Sequence, residues 1–156
     1  LCGLTSCVEG GRFHSWFPTQ QECHGKELRV IQVYRFNTGS CGGCDLEVIA
    51  AIAAAADIGW AATPSEADIL LLTGPLTPGA KKAFMALLQE LEHRVPVFAV
   101  GRCAIDGHPF GRGGVAVIPN LTVHLSLDGC PPTPAQIVEA IRTIAVDRED
   151  GAAGER

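Results

Sequence analysis

Two thiols separated by two glycines, Cys41-Gly42-Gly43-Cys44, are the residues of this chain best placed to do chemistry. Glycine lets the backbone fold back, so sulfurs at this spacing can face one point. Two further cysteines follow after 58 and 26 intervening residues: Cys103, and Cys130 in Asp128-Gly129-Cys130-Pro131-Pro132. Structural zinc usually takes two close pairs of ligands, and only one close pair is present here. A dithiol that exchanges with disulfides needs the first pair alone and leaves Cys103 and Cys130 idle. Four thiolates suit a [4Fe–4S] cluster, in which proline commonly follows the last ligand. The cluster fits these residues best. A zinc-stabilised interaction domain and a thiol–disulfide oxidoreductase built on Cys41 and Cys44 stay open as readings from other classes.

The elements around the thiols are legible from the hydrophobic period. A β-branched and aromatic run over 28–36 predicts a strand, and the apolar run from Asp45 to Ala56 predicts a buried helix. The cysteine turn joins them, at the end of a strand and the start of a helix, where negative charge is favoured. A short strand is expected over 60–63, and the nearly unbroken apolar run 68–73 predicts a strand covered on both faces. Thr77-Pro78 marks a helix start whose apolar stripe is Phe84, Leu87, Leu88 and Leu91. Strands are expected over 97–100 and 122–127, with a glycine-rich loop over 106–114 and a short extended piece over 115–118. Thr133-Pro134-Ala135-Gln136 is a capping box for a last helix, whose buried face is Ile137, Val138, Ile141 and Ile144.

Alternating strands and helices predict an α/β domain, a flavodoxin-like parallel sheet with helices on both faces. Ligands of such sheets sit beyond the carboxyl ends of the strands. Cys41, Cys44, Cys103 and Cys130 each fall just past a predicted strand, so three loops bring four thiols to one edge. The domain is expected over 28–146. Residues 1–27 read as an irregular arm, and 147–156 as a charged tail that stays disordered. Cys2, Cys7, Cys23 and His24 lie in the arm without the paired spacing of a zinc site.

The 156 residues suffice for one domain with its own core. Only 19% are charged against 47% hydrophobic, a low surface charge that suggests covering by partner subunits. A net charge of −5 and the lack of any basic run argue against a nucleic-acid partner. The longest apolar stretch, Val48 to Ala56, is too short to cross a bilayer, and no signal-peptide pattern opens the chain. A cytoplasmic protein is expected, touching a membrane only through partners. Seven cysteines in a reducing compartment point to metal or redox chemistry before disulfides.

The run Asn37-Thr38-Gly39-Ser40-Cys41-Gly42-Gly43-Cys44-Asp45-Leu46-Glu47, with Cys103 and the segment from Asp128 to Pro134, resembles the small subunit of membrane-bound, energy-converting [NiFe] hydrogenases. The same unit appears in the 20 kDa iron–sulfur subunit of respiratory complex I. The resemblance covers about residues 29–146. It implies one proximal [4Fe–4S] cluster on Cys41, Cys44, Cys103 and Cys130, in an electron-relay subunit that is not catalytic alone. Implied partners are a large catalytic subunit, a ferredoxin-like iron–sulfur subunit and, indirectly, integral membrane subunits, placing the chain on the inner face of the cell membrane. Complex I has two adjacent cysteines where this chain has Cys-Gly-Gly-Cys, the hydrogenase form. A complex I-like quinone oxidoreductase is the alternative within the class.

Three cations and two acids near the thiols are further candidates. Arg102, His108 and Arg112 could set a cluster's potential through charge and hydrogen bonds, although surface pairing is the plainer expectation, above all for His108. Asp45 reads as a simple helix-start acid. Glu47, at a step from the second cysteine where the resembling families keep a glutamate, is expected to relay protons between subunits. Its plainer role is to offset the helix dipole.

Overall fold

Leu70, Leu71 and Leu72 have no polar residue between them, so a strand built from them must be covered on both faces. The computed structural model, which describes residues 29–153 and side chains as far as 147, has that strand at its centre. Five parallel strands run in the order β2-β1-β3-β4-β5. They are β1 (Ile31–Asn37), β2 (Ile58–Trp60), β3 (Ile69–Thr73), β4 (Val97–Val100) and β5 (Leu125–Leu127). Every residue of β3 and β4 is buried, as their composition demands.

Side chains of a strand alternate between faces, and the two cores follow that alternation. Ile69 and Leu71 of β3 join Val48 and Ile52 of α1 (Gly43–Ala54) and Ile137 and Ile141 of α4 (Pro134–Ala153). Leu70 and Leu72 join Phe84 and Leu88 of α2 (Pro78–Glu90) and Ala104 of α3 (Arg102–Asp106) on the other face. Truncating a residue such as Leu71 to Ala costs about 2–5 kcal/mol, enough to threaten a domain of ordinary stability. The fold is the expected flavodoxin-like one. Its strand order reverses between β1 and β3, the point beyond whose carboxyl ends sheets of this kind place their ligands.

Several boundaries differ from the sequence reading, each for a local reason. β2 lies at Ile58–Trp60 rather than 60–63, because Ile58 pairs with Ile31 and supplies the buried residue. Pro64 then opens a 3-10 turn, Pro64–Glu66. Residues 115–117 form another 3-10 turn instead of an extended piece, with Val115 and Ile118 packed against the α2 core. β5 begins only at Leu125, where pairing with Phe98 of β4 starts.

The capping box is present: Thr133 N–H donates to Gln136 Oε1 (3.0 Å) and Gln136 N–H to Thr133 Oγ1 (3.4 Å). The Thr77 hydroxyl, by contrast, makes no cap bond to α2. Its methyl faces Gly39, where an added Cβ would lie 2.9 Å away. α4 continues through Ala153, so the tail expected from 147 is helical over most of its length. Asp147-Arg148-Glu149-Asp150 is charged but contains no helix breaker, and charge alone does not end a helix.

The glycine-rich loop is closed at its base. Gly113 N–H donates to Asp106 O (2.9 Å) and Gly114 N–H to Pro75 O (2.8 Å). A Cβ on Gly107 would meet Gly113 N and Gly111 O, each at 2.4 Å, so only glycine allows this closure. Cys2, Cys7, Cys23 and His24 lie outside the described residues.

Candidate thiol site at the carboxyl edge of the sheet

Strand ends decide where the thiols stand. Cys41 lies in the turn after β1 and Cys44 in the first turn of α1. Cys103 is on α3, directly beyond β4, and Cys130 follows β5. All four are free thiols; Cys41 and Cys130 are exposed, Cys44 and Cys103 buried. The expected gathering at one sheet edge is what the fold produces.

Backbone bonds join the two later loops. Gly101 N–H donates to Leu127 O and Arg102 N–H to Gly129 O, both at 2.9 Å, so the Cys103 and Cys130 loops leave the sheet side by side. Gly101 has φ +91, and a Cβ there would lie 2.4 Å from Cys44 Sγ. The absent side chain makes room for the Cys44 sulfur against the end of β4.

The thiols act on one another electrostatically. Burial is the main force pushing the Cys44 thiol up to about 12, followed by the neighbouring Cys103, Cys130 and Cys41 and by Asp45. Burial likewise raises Cys103, opposed by a hydrogen bond from the Gly74 backbone and supported by Cys41 and Cys130. Among the described residues no three His, Cys, Asp or Glu side chains close on the position of one metal ion. Four thiols at one sheet edge form a soft donor set, of the kind suited to iron–sulfur or other soft-metal chemistry.

The turn carrying Cys41 and Cys44 is knotted from within. Asn37 Oδ1 accepts from Gly39 N–H (2.8 Å) and Ser40 N–H (3.1 Å), an Asx-type turn that also explains asparagine at the end of a strand. Ser40 Oγ accepts from Gly42 N–H (3.2 Å). Asp45 is not a simple helix-start acid. It is buried, accepts hydrogen bonds from Asn37 Nδ2 (2.7 Å), Ser40 Oγ and Thr73 Oγ1 (2.8 Å), and pairs with Arg35 Nη1 at 3.2 Å. These contacts come from two different strand ends, which no local pattern discloses.

Glu47 is half-buried on α1, and its carboxylate makes no hydrogen bond or ion pair with the described residues. Arg102 is exposed and pairs with Asp106 and Asp128, each at 3.0 Å; the bond to Asp128 is the main reason its pKa is raised. Arg102, His108, Asp128, Gly129 and Cys130 line one shallow depression, whereas Arg112 is exposed elsewhere on the loop. One turn beyond the thiols α1 shows an apolar outer face, with Leu46 68% and Ile49 46% exposed. Trp60 continues this face: together with Ile49, Tyr34 and Arg35 it lines a groove where β2 stops short of β1.

A family model described as NADH ubiquinone oxidoreductase, 20 Kd subunit, matches residues 41–144, from Cys41 to Ile144 of α4. An uncharacterized protein of Methanocaldococcus jannaschii is 38% identical over 133 residues, covering 77% of this chain and 88% of its own. A probable membrane-bound hydrogenase subunit of Pyrococcus furiosus is 32% identical over 117 residues, covering 70% of each chain. Among solved structures, a chain of a membrane-bound sulfane sulfur reductase, an archaeal respiratory membrane complex, superposes with a TM-score of 0.56. That match covers 81% of this chain and 74% of the other, and at 20% identity it speaks for the fold.

Proposed function

The chain belongs to the family of NADH ubiquinone oxidoreductase 20 kDa subunits, and from that premise we propose that it is an electron-transfer subunit of a hydrogenase or complex I-like oxidoreductase. In this reading Cys41, Cys44, Cys103 and Cys130 hold one [4Fe–4S] cluster, which supplies reversible uptake of an electron at a potential set by its surroundings. The observation that carries the reading is the placing of four thiols, from three loops, at the carboxyl edge of one parallel sheet. The chain's own residues seat that group. The thiols must give up their protons to bind iron, Gly101 leaves room for the Cys44 sulfur, and the Asn37–Cys44 turn is braced by its own hydrogen bonds.

A dithiol exchange enzyme needs a reactive thiolate in its pair. Cys41 and Cys44 would suffice for it, and Cys103 and Cys130 at the same sheet edge would then have no role. Of the two complexes, the hydrogenase is favoured, because the chain resembles the Cys-x-x-Cys form and has a membrane-bound hydrogenase subunit among its relatives. Its partners are then a large subunit lying over Leu46 and Ile49 and a ferredoxin-like iron–sulfur subunit. No helix among the described residues is long and apolar enough to cross a membrane. Attachment to the inner face of a cell membrane would therefore run through partners. Glu47 is the residue assigned to proton relay at the large-subunit contact.

Metal and sulfide analysis of the anaerobically purified complex tests the reading. About four iron and four sulfide per chain are expected. Stoichiometric zinc without sulfide would end the electron-relay assignment.

A further inference from the structure

Only three polar or charged side chains are buried among the described residues: Thr38, Asp45 and Thr73. All three stand at the same end of β1 and β3. A buried carboxylate is costly unless every lone pair is engaged, so its position needs a reason. Dipole compensation is not the reason. An acid serving that purpose needs only to lie near the helix start, exposed, whereas the oxygens of Asp45 turn back into the sheet.

We infer that Asp45 is the positioning residue of the thiol site, fixing the Asn37–Cys44 turn onto the end of β3 and thereby setting Cys41, Cys44 and Cys103 relative to one another. The inference rests on the reading of the four cysteines as one cofactor site. The connections can be followed atom by atom. Asp45 Oδ2 takes the Asn37 amide and the Ser40 hydroxyl, and Ser40 Oγ accepts the N–H of Gly42, so that Cys41 is bracketed on both sides. Asp45 Oδ1 takes the Thr73 hydroxyl and faces Arg35. Thr73 precedes Gly74, whose backbone acts on the Cys103 thiol and holds its pKa down against burial. Cys44 is the chain neighbour of Asp45 itself.

The second buried threonine completes the clamp. Thr38 Oγ1 donates to Thr73 O (2.9 Å) and accepts from Leu76 N–H (2.9 Å), so the loops after β1 and β3 are pinned where the sheet would let them part. Among the described residues no buried side-chain nitrogen or oxygen is left without a partner, and a fully satisfied buried network rigidifies what it joins. Cys130 has no member of this network beside it, which makes it an internal control.

The test uses the full chain, produced with its large subunit, as wild type and as Asp45→Ala, Asp45→Asn and Thr73→Val. In metal-free full chain at fixed pH, alkylation of each cysteine by iodoacetamide is followed by mass spectrometry. Asp45→Ala is expected to speed alkylation of Cys44 at least tenfold relative to Cys130, and Thr73→Val about threefold. Loaded Asp45→Asn complex should keep its iron and sulfide but show altered g-values in the reduced cluster's electron paramagnetic resonance spectrum. A merely structural aspartate would lower the unfolding midpoint and leave both the Cys44-to-Cys130 ratio and the spectrum unchanged; that result overturns the inference. If Asp45→Ala does not fold, Asp45→Asn and Thr73→Val decide by the same two readouts. A wild-type chain without iron or sulfide would defeat the cluster reading alone, because the alkylation ratios still judge Asp45.

Discussion

The two halves of the site are held by opposite means. Around Cys41 and Cys44 the bracing is buried and neutral or charge-assisted, centred on an Asp45 side chain that is 10% exposed. Around Cys103 and Cys130 it consists of short backbone bonds and one surface cation between two acids, with Asp128 60% exposed. Both halves contain an arginine and an aspartate, so the composition alone would rank them alike. Burial separates them: a buried hydrogen bond left unmatched costs the full desolvation of its partner, while exposed ion pairs are screened and contribute little.

Loss of a thiol should erase the difference, and it has the largest expected effect. Cys44→Ala in the braced half and Cys130→Ala in the other should both reduce iron and sulfide to near zero. Cys2→Ala, Cys7→Ala and Cys23→Ala should leave them at wild-type levels. Retention of full iron in either of the first two variants would mean that the halves do not serve one cluster.

One layer out, the halves should diverge. Thr73→Val removes a donor from Asp45 and should lower stability by about 1–3 kcal/mol in denaturant titration. Arg102→Ala should leave the unfolding midpoint in place, since its pairs are solvated. A larger loss from Arg102 than from Thr73 would invert the comparison.

Glu47, on α1 just past the second thiol, probes the proposed proton relay of the braced half. Glu47→Gln preserves shape but cannot release a proton, and should slow proton-coupled turnover of the assembled complex at least tenfold, about 1.4 kcal/mol of barrier. Normal turnover with normal cluster content would return Glu47 to helix-dipole compensation.

The smallest effects concern charge. Arg102→Ala removes a cation near Cys103 and Cys130 and should lower the cluster's midpoint potential by tens of millivolts on the order of charge effects near such clusters. An unchanged redox titration would show that Asp106 and Asp128 already neutralise it. The pH response belongs to both halves, through Cys44 and Cys103. Because both thiols are raised, chiefly by burial, iron uptake by the metal-free chain should quicken as pH rises. In the same metal-free chain the raised Cys44 favours the folded state below the ordinary thiol value of 9.0. That contribution is lost as pH climbs from there to about 12, because the unfolded chain sheds the proton first. Stability of the metal-free chain that rises over this window would contradict the burial of Cys44.

Much of this was readable from the chain, and the unread part has a common cause. Leu70–Leu72 announced a central strand, Val97–Val100 was placed to the residue, and strand ends alone brought Cys41, Cys44, Cys103 and Cys130 to one edge. The capping role of Gln136 was visible because both partners lie within four residues. Asp45 was misread because its partners Arg35 and Thr73 stand ten and 28 positions away, and only the β1–β3 pairing unites them. β2 was misplaced for the same kind of reason: Ile58 became a strand residue through Ile31 opposite it, not through its own neighbours.

The pinched base of the glycine-rich loop has a practical consequence. Since Gly107 meets Gly113 backbone to backbone, residues between them form a closed ring, with His108 lining the depression beside Cys130. A Cβ on Gly111 would meet nothing within 4 Å, although the Gly111 carbonyl closes against Gly107, and Phe110 beside it is 60% exposed. Length added between them would break into this closure, because Phe110 N–H also donates to Gly107 O (2.8 Å), whereas a change confined to the Phe110 side chain would leave it intact. A reporter attached through the side chain at position 110, with no residue inserted, should therefore be carried without loss of iron, which makes this ring a ready handle for labelling the subunit inside its complex.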